Sequence, residues 1–310
     1  ATPASFNNAA GLSRAITEQL APGTEVFIAE MGTYGKGEIS SLCEWVKPQI
    51  GVVTAIGPVH LERMRSLDTI VAAKSEILEC VGTAVLNVDA YGLAAVADAN
   101  RLAGKRVIAC SGERLTSPVD VRVLREEGRL TIDAGESCTA TLNHAAQPSN
   151  LACAIAIAVA VDVPWDEIEP RLASLPQPEH RQEVAVAASG VHVIDNTFSS
   201  NPASAESSLS LLAFTGAVDA RRVVVTPGMV ELGKQQFHEN ERLGSGASLV
   251  ADDIVIVGQT NRRALLQGAA GGLAAVHQVA TREDAVAWVR SELEAGDVVL
   301  YENDLPDHYP

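Results

Sequence analysis

The sequence is poor in aromatic residues: Phe, Trp and Tyr make up 4% of its 310 positions. Any core must therefore be aliphatic, built from Ala, Val, Leu and Ile. Basic residues are also scarce, with 23 Lys and Arg against 39 Asp and Glu and a formal net charge of −16. A chain this acidic repels DNA, RNA and anionic membrane surfaces. An anionic small substrate would need a locally basic or metal-loaded pocket. Cysteine is sparse and scattered, at Cys43, Cys80, Cys110, Cys138 and Cys153. No pair forms a C-x-x-C and the count is odd, which argues against a disulfide framework or a zinc knuckle and suits a reducing cytoplasm. Long apolar runs are missing too. The longest, Leu151–Val161, falls well short of the roughly 20 residues that span a bilayer, so no membrane insertion of this segment is expected. No stretch reads as a signal peptide. The chain opens at Ala1 without an initiator Met, in a segment that already reads as ordered, and the expectation is that it belongs to something longer.

What is present is an apolar chain, 47% hydrophobic, which excludes disorder over most of its length. Its size favours two domains. Short aliphatic runs predict strands at Val26–Ala29, Ile50–Ile56, Ala84–Val88, Val107–Cys110, Val191–Asp195, Val223–Thr226, Ile254–Val257 and Val298–Tyr301. Amphipathic stretches predict helices at Glu38–Val46, Thr69–Val81, Tyr91–Leu102, Ala203–Phe214, Phe237–Leu249, Asn261–Gly268 and Glu283–Leu293. This alternation, with apolar strands, predicts an α/β fold: a mostly parallel sheet flanked by helices on both faces. Val119–Val123, Arg129–Asp133 and Cys138–Leu142 break the alternation and read as short antiparallel strands, followed by a helix over about Ser149–Val161. A proline-marked linker, Leu175-Pro-Gln-Pro-Glu-His-Arg, puts the domain boundary near residue 179, giving domains 1–178 and 179–310.

Ligand sites in open α/β sheets form outside the carboxyl ends of the strands. The polar residues expected there are Glu30, His60 and Asp195, any one of which could equally be an ordinary loop residue. Lys74 falls on the apolar stripe of Ile70, Ile77 and Val81. It either snorkels outward or needs a charge partner, a neutral amine or a covalent modification. Gly32-Thr-Tyr-Gly-Lys-Gly-Glu imitates a phosphate loop but has G-x-x-G-K-G spacing and no hydroxyl after Lys36. It reads better as a tight turn feeding a helix N-terminus, which can still face an anion. In Asp195-Asn-Thr-Phe-Ser-Ser-Asn-Pro, Asn201 is a natural N-cap and Pro202 a natural first helical residue. Helix initiation does not explain Asp195 and Asn196 together at the strand end.

These segments, in one consistent order, resemble the Mur ligases, ATP-dependent amide-bond synthetases of peptidoglycan assembly. The resemblance rests on Thr2-Pro-Ala-Ser-Phe-Asn-Asn-Ala-Ala-Gly, Ala29-Glu-Met-Gly, Gly37-Glu-Ile, Ile56-Gly-Pro-Val-His-Leu-Glu, Ala73-Lys-Ser-Glu-Ile, Leu86-Asn-Val-Asp, Asn150-Leu-Ala-Cys-Ala, Glu179-His-Arg, Asp195–Pro202 and Gly228-Met-Val-Glu-Leu-Gly. It covers residues 1 to about 260 and leans toward the branch whose amine is D-Ala-D-Ala. It implies a P-loop-type central domain followed by a Rossmann-like C-terminal domain. It also implies that Glu30 and His60 hold Mg²⁺, with Lys74 carbamylated in support. Asn150 would contact adenine, and Arg181, Asp195 and Asn196 the ATP from the C-terminal domain. Thr2, Asn7, Asn8, Asn201, Glu231, Glu302 and Asp304 are the candidate substrate contacts. ATP would phosphorylate the carboxylate of a UDP-linked muramoyl peptide, and an amino-acid or dipeptide amine would attack the acyl phosphate.

Departures from the family pattern keep alternatives open. The family's G-T-x-G-K-T loop and its UDP-holding domain are not in the chain, so these residues by themselves are expected to be inactive. Its D-D-T-Y-N-A-N-P reads Asp195-Asn-Thr-Phe-Ser-Ser-Asn-Pro, and its late K-G-S is replaced by Tyr301-Glu-Asn-Asp-Leu-Pro. One alternative is a divergent ligase with another acid and amine, as in the folylpolyglutamate and cyanophycin relatives. The other is a non-catalytic nucleotide- or partner-binding module. The tail strand is expected to deliver Glu302, Asn303, Asp304, Asp307 and His308 to the rim of the cleft, where carboxylates would suit a cationic amine.

Overall fold

The computed structural model describes residues 2, 6–58, 61–114, 117–126, 129–135, 139–142, 146–175, 181–198 and 200–305. The chain divides into two compact units, Ala1–Gly57 with Arg63–Leu175, and Pro176–Pro310 with the short Pro58–Glu62 segment.

In the first unit the elements run α1 (Ala9–Gln19), α2 (Glu38–Val46), β1 (Ile50–Val53), α3 (Leu61–Met64), α4 (Leu67–Glu79), β2 (Thr83–Asn87), α5 (Leu93–Leu102) and β3 (Arg106–Ser111). There follow β4 (Val121–Glu126), β5 (Arg129–Asp133), β6 (Thr139–Leu142), α6 (Pro148–Ala160) and α7 (Trp165–Leu172). One sheet has the order β1-β2-β3-β4-β5-β6. Its first four strands are parallel and its last three pair antiparallel. The three-stranded antiparallel stretch is thus an extension of the parallel sheet, joined by Cys110 to Val121 and Ser111 to Arg122. Alternation in β2 explains how both faces are covered. Val85 packs with α6 and the β4–β5 pair through Leu151, Ile155, Val123 and Ile132. Ala84 and Leu86 point to the other face, where α4 and α5 supply Leu78, Leu93 and Ala97.

The strand expected at Val26–Ala29 does not form. An apolar run becomes a strand only when a ladder partner takes up its backbone groups. Among the described elements β1 pairs with β2 alone, while Ile28 O accepts a single bond from Thr2 N at 3.0 Å. Val26 and Ile28 remain 51% and 54% exposed. Glu30 therefore lies in an irregular segment.

The second unit contains β7 (Glu183–Val186), β8 (His192–Asn196), α8 (Pro202–Phe214), β9 (Arg222–Thr226), α9 (Gln236–Val250), β10 (Asp253–Val257), α10 (Arg262–Ala269), β11 (Ala275–Val279), α11 (Arg282–Glu292) and β12 (Val298–Glu302). The sheet order is β11-β10-β9-β12-β8-β7, parallel throughout except for β7. Its central strands are apolar on both faces. Ile194, Val224, Ile254 and Leu300 meet α8, α9 and α10 on one side, and Val223, Val255 and Val299 meet α11 on the other. Asn201 caps α8 as expected, its Oδ1 accepting Ser204 N at 3.1 Å, with Pro202 first in the helix. Substituting such a cap by Ala costs about 1 kcal/mol.

Candidate functional site

In the first unit, four of the candidate residues converge. Thr2 Oγ1 accepts Glu30 N at 3.2 Å, and Asn7 Nδ2 approaches Glu30 Oε1 at 3.5 Å. Asn7 O also accepts Gly32 N at 2.7 Å. The fourth is Lys74 on α4: burial pushes its ammonium pKa down from the ordinary value, and the Glu30 carboxylate partly restores it. Lys74 itself is half-buried. His60 lies outside the described residues. Asn8 has a structural task, capping α1 by accepting Gly11 N at 2.9 Å.

The glycine-rich turn between Gly32 and Gly37 is closed by an anion of the protein itself. Glu76, two residues beyond Lys74, accepts Gly37 N at 2.6 Å and Ser40 N at 3.2 Å, satisfying the first amides of α2. Gly37 adopts φ +89° there, a conformation that favours glycine. Among the described residues no group of three or more His, Cys, Asp or Glu could hold a metal ion. Glu30 with Lys74 as an ammonium would not fit a divalent cation, because the two positive charges repel each other.

A cleft of about 260 Å³ opens beyond the carboxyl ends of β2 and β3, lined by Asn87, Asp89, Gly112, Glu113, Gln147 and Ser149 among others. Asp89 organises it, accepting Ser111 Oγ and Gly112 N, both at 2.6 Å. Gln147 caps α6 by accepting the amides of Ser149 and Asn150 at 2.9 and 3.3 Å. Asn150 therefore stands exposed in the first turn of the helix that forms one wall.

In the second unit the carboxyl ends of β8, β9 and β12 carry Asp195 and Asn196, Thr226, and Glu302 respectively. Asp195 Oδ1 accepts Thr197 N at 3.0 Å and Thr197 Oγ1 at 2.6 Å, shaping the turn that leaves β8. The Arg181 guanidinium lies over the Phe198 ring at 4.5 Å. Glu231 follows β9, at φ +62°. Its loop is anchored by Asn240, which accepts Met229 N at 2.7 Å and donates to Met229 O at 2.8 Å, and by Asn261, which donates to Pro227 O at 3.0 Å.

Here the expectation for the tail is corrected. Glu302 is not on a rim: it is 0% exposed. It accepts Asn196 Nδ2 at 2.8 Å and the hydroxyls of Ser200 and Ser208. A carboxylate so surrounded has no face for an incoming amine. Asp304 is exposed but pairs with Arg282 at 2.5 Å. Asp307 and His308 lie outside the described residues.

A family model described as the Mur ligase middle domain matches residues 1–158. A second, described as the Mur ligase, glutamate ligase domain, matches residues 180–301. The chain belongs to the Mur ligase family. This Mur ligase chain is 32% identical to the UDP-N-acetylmuramoyl-tripeptide–D-alanyl-D-alanine ligase of Mycobacterium bovis, over 97% of its own length and 64% of the relative's. It is 28% identical to the ligase of that name from Synechocystis, again over 97% and 64%. It thus spans a little under two thirds of the curated relatives it matches. Its fold superposes on MurF from Acinetobacter baumannii with a TM-score of 0.79 at 22% identity, covering 98% of this chain and 67% of that one. The same score, at 21% identity and 98% and 69% coverage, relates it to the MurF ligase of Thermotoga maritima in complex with ADP.

Sequence reasoning gave no role to Glu76, Asp89, Asn240 and Asn261, which hold turns of this Mur ligase chain, and it placed Asn303 on a cleft rim rather than on the Gly228 carbonyl to which it donates. Glu76 carried a signal, since it shares the Ala73-Lys-Ser-Glu-Ile motif with Lys74. The asparagines carried none, because their partners are distant in sequence.

Proposed function

We propose that the protein carrying this chain is a ligase that uses ATP to join D-Ala-D-Ala to a UDP-N-acetylmuramoyl-tripeptide during peptidoglycan precursor synthesis, in the cytoplasm. The observation that carries the reading is the convergence of Thr2, Asn7, Glu30 and Lys74, within a chain that aligns over nearly all its length with such ligases. In the reaction the substrate carboxylate attacks the γ-phosphorus of ATP and ADP leaves. The amine then attacks the acyl carbon, a proton is lost from nitrogen, and phosphate departs. Asn150 and the Asp89 cleft are assigned to the adenine end of ATP. Arg181, Asp195 and Asn196 are assigned to the nucleotide from the second unit, and Thr2, Asn7 and Glu231 to the muramoyl peptide or the amine. Asn8 and Asn201 act as helix caps in support of those segments.

Lys74 is the residue on which a metal would depend. Burial favours its neutral amine, the form that attacks CO₂ to give a carbamate and a proton. As a carbamate it would join Glu30 and His60 in holding Mg²⁺, which neutralises phosphate charge when bound. With the ammonium present no such site forms, and no step above is routed through the metal.

The test is release of ADP and phosphate by the natural gene product supplied with ATP, UDP-N-acetylmuramoyl-tripeptide and D-Ala-D-Ala. Turnover that needs all three is expected. Turnover with glutamate in place of the dipeptide, and none with D-Ala-D-Ala, would favour the second reading, a ligase with another acid and amine. The changed residues from Tyr301 onward are what favour that reading.

A further inference from the structure

We propose that Glu302 and Asn303 are positioning residues, a two-residue clasp that holds the turn after β8 and the turn after β9 in one arrangement at the carboxyl edge of the second sheet. These two strands do not touch each other, because β12 lies between them. Their turns could therefore move independently unless β12 ties them together.

Each half of the clasp has its own geometry. A fully buried carboxylate is costly unless its oxygens accept hydrogen bonds. Glu302 Oε2 accepts from Asn196 at the end of β8 and from Ser208 on α8, while Oε1 accepts from Ser200 in the connection between them. Asn196 also donates to Ser204 Oγ at 3.0 Å, which extends the network along α8. Burial pushes the Glu302 carboxyl above its ordinary pKa, and the bonds from Ser200, Ser208 and Asn196 pull it partly back. The groups facing it from β8, the connection and α8 are thus an amide and hydroxyls.

Asn303 reaches both ways. Its backbone N donates to Asn196 O at 3.0 Å, and its Oδ1 accepts Ser200 N at 3.3 Å. Its Nδ2 donates to Gly228 O at 2.6 Å, in the turn after β9. Asn303 adopts φ +69°, which asparagine tolerates better than most residues. Gly228 adopts φ +80°, and a Cβ there would lie 2.4 Å from Asn240 Oδ1 and 2.7 Å from Asn261 Cβ. The turn that Asn303 grips therefore has one tightly packed conformation.

The functional half of the proposal rests on the reading given above, in which the turn after β8 faces the nucleotide. The clasp would then fix the spacing of Asp195 and Glu231. The experiment compares Glu302→Ala, Glu302→Gln and Asn303→Gly in the natural gene product. Val299→Ala serves as a control, destabilising the same strand from its opposite face. Hydrogen exchange is followed at the amides of Thr197, Ser200, Gly228 and Met229, and KM for ATP is measured alongside kcat. Glu302→Ala is expected to speed exchange at Thr197 and Ser200 by about tenfold beyond the control. Asn303→Gly, which keeps the positive φ, is expected to do so at Ser200 and Gly228. Both are expected to raise KM for ATP by about tenfold with kcat nearly unchanged, the signature of binding made equally in ground and transition states. Glu302→Gln retains an oxygen for Asn196 and an amide for Ser200, so it should restore both readouts to within about threefold of wild type. Exchange no faster than in Val299→Ala overturns the clasp. Faster exchange with an unmoved KM upholds the clasp and overturns the assignment of the β8 turn to the nucleotide.

Discussion

Replacing Gly268 by Ala sets helix propensity against packing, with opposite signs for stability. Gly268 sits inside α10, where alanine is intrinsically preferred by about 1 kcal/mol. A Cβ at this position would lie 1.9 Å from the Glu241 carbonyl oxygen and 2.8 Å from Ser245 N, both backbone atoms of α9. Carbon and oxygen ordinarily approach no closer than about 3.3 Å, so the two helices would have to part by more than 1 Å, about the difference. That movement pulls Leu265 and Ala269 away from Leu243 and Ala247 in the core, and gaps of ~1 Å forfeit up to half of each contact's attraction. Overpacking of this kind costs about 1–3 kcal/mol, sometimes more, and backbone contacts offer no side chain that can swing aside. The net expectation is destabilisation of the second unit by about 2 kcal/mol after the propensity gain. Gly271→Ala is the matched control, because nothing lies within 4 Å of its Cβ position. It should change stability by less than about 0.5 kcal/mol. Urea denaturation followed by circular dichroism measures both. A Gly268→Ala protein as stable as wild type would refute the reasoning and show that propensity outweighs the close helix approach.

Two further predictions concern charge. Burial alone would push Asp253 up, but the bonds from Arg221 at 2.7 Å and His277 at 2.8 Å hold its carboxyl below the usual 3.8. Its contribution is therefore present above pH 3.8 and is lost as pH falls through the lower native value. Asp253→Asn should cost roughly 2 kcal/mol at neutral pH, with the difference from wild type shrinking as pH falls below 3.8; a difference in urea midpoint that does not shrink at all below pH 3.8 would contradict this. For Lys74 stability again rises with pH, but the lowered pKa is unfavourable at neutral pH, where the ammonium is the form that burial penalises. Its native pKa lies below 10.5, so stability rises with pH between the native value and 10.5. Glu30→Gln removes the anion that supports the ammonium and should widen that window, read as a lower midpoint in NMR titration of labelled lysine. An unchanged midpoint would mean that Glu30 does not act on Lys74.

Much of the fold is legible in the sequence because the central strands are apolar on both faces. Runs such as Val223–Thr226 and Ile254–Val257 have no other stable place than a covered parallel sheet. Asn201-Pro202 is legible for a local reason, since a cap and a first-turn proline act within one helical turn. Lys74 is found by period, its stripe with Ile70 marking a buried face. Val26–Ala29 fails because strand formation needs a partner, which the run itself does not encode. β7 and β11 were missed: β7 is exposed along its length and β11 is too polar to stand out. Glu302 is misread for a different reason. A glutamate at a strand end ordinarily reaches solvent, and its burial depends on Asn196, Ser200 and Ser208, roughly a hundred residues earlier.

The position of β12 has a consequence for synthesis on the ribosome. Of the described strands in its sheet it is the last to be made, yet it sits between β8 and β9. Until Val298–Glu302 have left the exit tunnel, β7–β8 and β9–β10–β11 are two separate ribbons with unpaired inner edges. The nascent second unit therefore waits with exposed strand edges for its final strand, which is the state in which chaperones bind or chains pair wrongly. Premature termination before residue 298 would leave that state permanent, whereas the first unit, whose strands are laid down in spatial order, can close as it emerges.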